Sequence, residues 1–240
     1  MPALKNIDSK FFEFKDLDGT DDCVVKMHKG WNKSIVIKFC IKKKNLINNF
    51  FIKKHFPSLI NKEKIIVVTS GAIEIKKKNK KLIMEKFDAL NFSSDEISYE
   101  ITCPQDSEFY LISSEILPEK NFDTVHFNFK KDIIAKDIWG GQCISRPYEG
   151  RDLNLVMFDL KSGFKFDDKG HHNEQITWLI NGNMDFYCNN LKARLTEING
   201  VDIGPNHPHG GISNGAIGFD AFFPKRDGSE YKQSVRTNKF

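Results

Sequence analysis

The stretch Gly170-His171-His172-Asn173-Glu174-Gln175-Ile176-Thr177-Trp178-Leu179-Ile180-Asn181-Gly182 sets two imidazoles and an amide just ahead of an apolar run. Downstream lies Asp202-Ile203-Gly204-Pro205-Asn206-His207-Pro208-His209-Gly210-Gly211. In an extended chain residues two apart share a face, so His171 and His172 point opposite ways and Gln175 joins His171 on one side. The run 176–180 predicts a buried strand, and Asn181-Gly182-Asn183 a tight turn. A second strand ending at His209 brings a further imidazole to the same side, which makes His171, Gln175 and His209 the candidate ligands of one metal ion. Neutral imidazoles with one carbonyl oxygen suit a divalent transition ion (iron, manganese, nickel, cobalt or zinc) and exclude an all-oxygen calcium cage.

Two other histidines lie close by. His172 is expected on the outer face, unless a local bulge brings it in as a further ligand. His207 precedes Pro208, which predicts a surface turn, with a second donor or a base near the metal as the alternative. Gly140-Gly141-Gln142-Cys143-Ile144-Ser145-Arg146-Pro147-Tyr148-Glu149-Gly150-Arg151 supplies the other candidates: Arg146 or Arg151 to clamp a substrate carboxylate, and Tyr148 to donate or relay a proton. The competing expectation for that segment is a loop whose arginines pair with Glu149 and Asp152.

Composition narrows the class. With 240 residues the chain suffices for one large domain or two of about 120, and 21 Phe against 5 Tyr and 3 Trp give it the material for a substantial core. No apolar run approaches the roughly 20 residues of a membrane helix, and Met-Pro-Ala-Leu-Lys-Asn lacks a secretory apolar region. Five scattered cysteines without Cys-x-x-Cys spacing predict free thiols in a reducing cytoplasm. The net charge of +4 comes largely from lysine runs, of which Lys76-Lys77-Lys78-Asn79-Lys80-Lys81 sits between apolar stretches as a hairpin tip would. Without interleaved aromatics it predicts a solvated turn, and neither nucleic acid nor a membrane is expected as a partner.

Short β-rich runs, such as Ser34-Ile35-Val36-Ile37-Lys38-Phe39 and Asn154-Leu155-Val156-Met157-Phe158, recur between turn signals, and long amphipathic helices are absent. The chain therefore reads as all-β. Setting Gly71 against Gly182 superposes two strand-turn-strand units and opposes Gln175 to Lys64, His171 to Ile60, Lys169 to Ser58 and His209 to Ser98. The first unit, 1–118, then lacks every expected ligand and should be filled by apolar side chains. The second, 128–240, keeps the ligands, and residues 113–129 read as the connection.

Gly170, His171, Gln175 and Gly182, followed by the Pro-rich approach to His209 and the tail Gly218-Phe219-Asp220-Ala221-Phe222-Phe223-Pro224, resemble the two motifs and closing strand of the cupins. The chain departs from the pattern at Lys169, where a first histidine stands in that family. The resemblance implies two tandem jelly-roll (double-stranded β-helix) barrels, a metal in the second, and a small-molecule substrate. Over the whole chain it is nearest to bicupins of the bacilysin-pathway isomerase type. It implies a metal acting as a Lewis acid on an oxo-acid or sugar-like substrate, in an isomerase, lyase or oxygenase. The alternative is a non-catalytic small-molecule binder with a vestigial site. Pairing through sheet edges makes a homodimer a further expectation.

Overall fold

The computed structural model describes residues 8–20, 22–31, 33–43, 46–47, 54–59, 62–77, 80–92, 99–115, 123–227 and 238–239. The described residues are almost entirely strand and turn, as the period-2 patterning requires, and none of their helices is long and apolar enough to cross a membrane. Contacts divide the chain into two units. One gathers the described parts of Met1–Phe14, Gly30–Asn32 and Ile134–Gln233, the other those of Lys15–Lys29, Lys33–Ile133 and Ser234–Phe240.

The boundaries drawn from the sequence, 1–118 and 128–240, therefore shift. The division falls between Ile133 and Ile134, and the chain ends are exchanged. Lys10–Glu13 pairs antiparallel with Asn199–Ile203, while Asn238–Lys239 pairs with Val125–Asn128, itself paired with Asp88–Phe92. Each exchanged strand satisfies the backbone groups of an outer strand that would otherwise end its sheet unpaired. Part of the expected connection, 113–129, is accordingly strand.

In the unit built from the first half, one sheet runs in the order Lys15–Thr20, Cys23–Lys29, Ser34–Ile41, Ser107–Ser114, Lys64–Ser70, Asp88–Phe92, Val125–Asn128, Asn238–Lys239. A four-stranded sheet runs Leu46–Ile47, Tyr99–Thr102, Ala72–Lys77, Lys80–Glu85. Its interior is apolar, with Ile66, Val68, Ile73, Ile75, Leu90 and Leu111 buried and Phe39 stacked on Phe109 at 4.7 Å. Lys77 pairs with Lys80 across the hairpin that the lysine run predicted, and Glu74 binds both Lys76 and Lys81. Lys64, the counterpart of Gln175, is buried and donates from Nζ to the Leu59 and Lys62 carbonyls at 2.7 Å each. Burial pushes its pKa down to about 7. Ser58, the counterpart of Lys169, lies in a short 3-10 turn, whereas Ile60 and Ser98 lie outside the described residues.

The other unit is organised by three strands of 15 residues, Asn154–Asp168, Glu174–Cys188 and His209–Phe223. Its strand order is Lys10–Glu13, Asn199–Ile203, Glu174–Cys188, His209–Phe223, Asn154–Asp168, Cys143–Glu149, Lys136–Asp137, with Leu191–Leu195 on Glu174–Cys188. The tight turn expected at Asn181-Gly182-Asn183 is a bulge inside one continuous strand. Register shifts on either side of it, between Leu179 and Asn181 and between Gly182 and Met184, and Gly182 takes φ +79°. Bulges bend a strand without ending it, which lets each long strand wrap one interior packed with Phe158, Leu160, Phe164, Leu179, Met184 and Phe186.

On the opposite face from Gln175, Glu174 and Asp202 are both fully buried. Glu174 Oε1 accepts the Trp31 N–H at 2.6 Å, and Lys10 Nζ lies 3.7 Å from Asp202 Oδ2 and 4.1 Å from the Trp31 ring centroid. Two hydrogen-bonded carboxyls share a proton when buried. Burial raises the Asp202 pKa to about 7, against the pull of Lys10 and Glu174. A carboxyl raised in the folded state contributes stability that is complete below its unfolded pKa, near 4, and is lost as pH climbs through 7. Asp202→Asn is therefore expected to flatten the fall in stability between pH 5 and 8 and, at pH 8, to be more stable than the parent by about 1–2 kcal/mol. Urea unfolding of both proteins across that range measures it, and parallel pH curves would refute the shared proton.

Candidate metal centre

The strand Asn154–Asp168 ends in a turn, not in the extended segment that would have made 169–173 a strand. The Gly170 N–H donates to Asp168 Oδ1 at 2.8 Å, and Gly170 takes φ +98°. A Cβ there would lie 2.7 Å from the carbonyl carbon of Asn206, so only glycine lets the two motifs close on each other. Asn206 N–H then donates to the His171 carbonyl at 2.6 Å. The turn puts His171 inside and leaves His172 exposed, and so reaches the expected split by a different geometry.

Asp168, His171 and His209 come together: one ligand atom from each lies within 4.8 Å of the others. The imidazoles of His171 and His209 stand edge to face with centroids 5.4 Å apart, walled by Phe222 and Phe186. Nδ1–H of His209 donates to the His207 carbonyl at 2.9 Å, which leaves Nε2 with its lone pair.

Gln175 is held by its neighbours. Its Nε2 donates to Thr177 Oγ1 and to Asp220 Oδ1, both at 3.0 Å, while the Thr177 hydroxyl donates to the same Asp220 oxygen at 2.6 Å. With the amide so oriented, Oε1 accepts from His171 Nε2–H at 2.9 Å. Nδ1 of His171 is then an unprotonated nitrogen, buried and without a hydrogen-bond partner among the described residues. Burial, reinforced by the Arg226 charge, pushes the His171 pKa down to about 4, and burial also lowers His209, so both imidazoles are neutral at physiological pH. Burial raises the Asp220 carboxyl to about 6 against its bonds from Thr177 and Gln175.

The cluster borders a cavity of about 480 Å³. Cys143, Ser145, Gln175, Thr177 and Asp220 supply polar wall, and Phe158, Phe164, Phe166, Phe186 and Phe222 supply aromatic wall. Trp139 and Ile138 stand at the rim, and Lys136, Lys169 and Arg226 contribute cations. Lys169 thus sits on the cavity wall, outside the ligand cluster.

The candidate clamp and relay residues are placed elsewhere. On Cys143–Glu149 the alternation turns Cys143 and Ser145 to the cavity and Arg146 and Tyr148 to the other face. Arg151 is exposed in the following bend. None of the three lines the cavity. His207 accepts or donates at Nδ1 with Ser9 Oγ at 2.6 Å, and Ser9 Oγ also takes the Gly204 N–H, which ties this histidine to the N-terminal segment and not to the cluster. Asp168, Asp220, Lys136 and Arg226 were not singled out from the sequence. The one local signal was a carboxylate pair, Asp167-Asp168, immediately before Lys169-Gly170.

The structure is similar to protein Ylba from E. coli, at 14% identity over 94% of each chain and a TM-score of 0.70. It is also similar to a cupin 2 conserved barrel domain protein from Leptotrichia buccalis, at 14% identity over 93% of this chain and 100% of that one, with a TM-score of 0.61. The fold is that of the cupins. A deletion mutant of the oxalate decarboxylase OxdC from Bacillus subtilis, 7% identical over 90% of this chain and 78% of that one, superposes with a TM-score of 0.67. The sequence itself matches no family model and no curated protein, so the similarity lies in the cupin fold alone.

Proposed function

We propose that this cupin holds one divalent transition ion through Asp168, His171 and His209 and acts on a small oxo-acid. The observation that carries this is the buried Nδ1 of His171, an acceptor that no described protein group satisfies, beside a second neutral imidazole and a carboxylate. Two imidazoles and one carboxylate are a donor set suited to iron, manganese, cobalt, nickel or zinc with positions left open. In this reading Gln175 serves the ion through His171, because its amide oxygen fixes the ring. When bound, such an ion supplies Lewis acidity toward a carbonyl or carboxylate.

The protein's own contribution is positioning. Asp220 and Thr177 lock the Gln175 amide, the His207 carbonyl locks His209, and the aromatic wall excludes water from the polar end of the cavity. Lys136, Lys169 and Arg226 stand on the same described wall as Asp167, Asp168 and Asp220, with Arg226 3.8 Å from Asp168, so they offer an anionic substrate local cationic contacts without a net positive field. Isomerase or lyase chemistry, as in the bicupin isomerases resembled at the level of motifs, follows from Lewis acidity alone, whereas iron with open positions extends it to an oxygenase. Metal-loaded protein incubated with 2-oxo acids in deuterated water should exchange the C3 protons faster than metal-free protein, as read by proton NMR, with dioxygen uptake followed in parallel. Neither exchange nor uptake with metal bound would leave the non-catalytic binding protein as the better account.

A further inference from the structure

Gly204-Pro205-Asn206-His207-Pro208 joins Asn199–Ile203 to the strand that opens with His209. Two of these five residues are prolines, which carry no N–H, and among the described residues the loop's internal backbone bond is a long one, from the His207 N–H to the Gly204 carbonyl at 3.3 Å. A loop so short of internal bonds takes its shape from partners outside it. Asn206 is bound to His171, and the Pro208 carbonyl accepts the Asn189 N–H at 2.9 Å. The remaining partner is Ser9, only 5% exposed, whose Oγ accepts the Gly204 N–H at 2.9 Å and is hydrogen-bonded to His207 Nδ1 at 2.6 Å.

This serine comes from far away in the sequence. The strand after it, Lys10–Glu13, runs antiparallel to Asn199–Ile203 with Lys10 opposite Asp202 and Phe11 opposite Val201, which brings Ser9 level with the start of the loop. The same segment reaches the His209 ring by a second path. Phe11 stands edge-on to Phe186 with centroids 6.3 Å apart, and Phe186 stacks on His209 at 6.2 Å.

We infer that Ser9 is a positioning residue for the metal ligand His209. Its hydroxyl fixes the His207 side chain, and with it the direction of the His207 carbonyl. That carbonyl keeps the proton on His209 Nδ1 and turns Nε2 toward the ion. The inference rests on the metal-dependent function proposed above and adds to it a residue outside both histidine motifs.

Calorimetric titration of the full chain with cobalt(II), beside nitrogen–proton NMR of the histidine rings in the metal-free protein, tests it. Ser9→Ala should stay folded by circular dichroism and bind cobalt about tenfold more weakly, the lower end of the loss for outer partners of a metal-binding histidine. Its His209 ring should move from the Nδ1–H tautomer toward a mixture of the two. Ser9→Thr keeps a hydroxyl and should restore both readouts. His207→Ala should lose as much as Ser9→Ala, and the double variant no more than either, because one chain of bonds is cut twice. Parental affinity with a parental ring spectrum in Ser9→Ala, or losses that multiply to about a hundredfold in the double variant, would overturn the inference. Should Ser9→Ala fail to fold, His207→Ala makes the same cut from the other side, and parental affinity there overturns it equally. A parent that takes up no cobalt sinks the metal reading, and the ring spectrum then decides alone: a mixed His209 tautomer in Ser9→Ala sustains the positioning role, and an unchanged one ends it.

Discussion

After loading with a divalent transition ion and gel filtration, the protein is expected to retain close to one equivalent, and the His171→Ala, His209→Ala double variant to retain only a small fraction of it. Each imidazole is already neutral, desolvated and orientated by a neighbour, so binding costs little proton release or ring reorientation. Asp168→Asn keeps the bond from Gly170 N–H within reach of an amide oxygen but removes the negative charge, and should weaken binding by about 10–100-fold or more. Gln175→Leu removes the acceptor of His171 Nε2–H and should weaken it by a similar factor without abolishing it. At 100-fold excess over Kd, ligation of the native state adds about 2.7 kcal/mol, which corresponds to a rise in Tm of about 5–10 °C for a chain of this size. Elemental analysis with a thermal scan reads both. Equal metal in the parent and the double variant would place the ion elsewhere, and no metal in either would remove the basis of the Lewis-acid reading.

Gly182→Ala is expected to destabilise the protein by about 3 kcal/mol or more. The residue takes φ +79°, where a side chain costs roughly 1–2 kcal/mol, and its added Cβ would collide with the Gly215 carbonyl oxygen and come within 3.1 Å of Ala216 Cα. Both are backbone atoms of the paired strand His209–Phe223, so no side chain can rotate away and the strands must part. Gly215→Ala is the internal control. It has a similar φ, +87°, but among the described residues a Cβ there meets nothing within 4 Å, so only the conformational cost, about 1–2 kcal/mol, should appear. Urea unfolding of the two variants beside the parent gives the difference directly, and similar losses for both would mean that the contact between the two strands is not what holds the bulge.

The histidines were legible because they are carried by local sequence. His171 needs only Gly170 before it, and His209 only the Pro-rich approach that ends the preceding turn, so both stood out as candidates and both border the cluster. Asp168 was not legible. It closes a strand, and it joins His171 only because an Asx-type turn at Gly170 folds the chain back and Asn206 clasps it from a distant motif. Gln175 shows the same limit from the other side. Its position beside His171 was expected, but that its amide oxygen would accept from the ring is decided by Asp220, 45 residues further on. Arg146 and Tyr148 looked like binding residues by composition, yet the alternation of Cys143–Glu149 gives the cavity to Cys143 and Ser145, and that phase depends on which side of the sheet becomes the interior.

The apolar alternation, the turn signals and the two histidine motifs were enough by themselves to specify an all-β chain, the pairing of Ala72–Lys77 with Lys80–Glu85 around the lysine run, and the second half as the place of the candidate histidines, because each depends on neighbours a few residues apart. The exchange of the end strands, the continuation of Glu174–Cys188 through Gly182, the arrival of Asp168 and the cation wall of Lys136, Lys169 and Arg226 were decided only by the tertiary structure. Each of these depends on the register between strands far apart in the chain, where backbone pairing and burial choose one partner among several that local sequence allows equally.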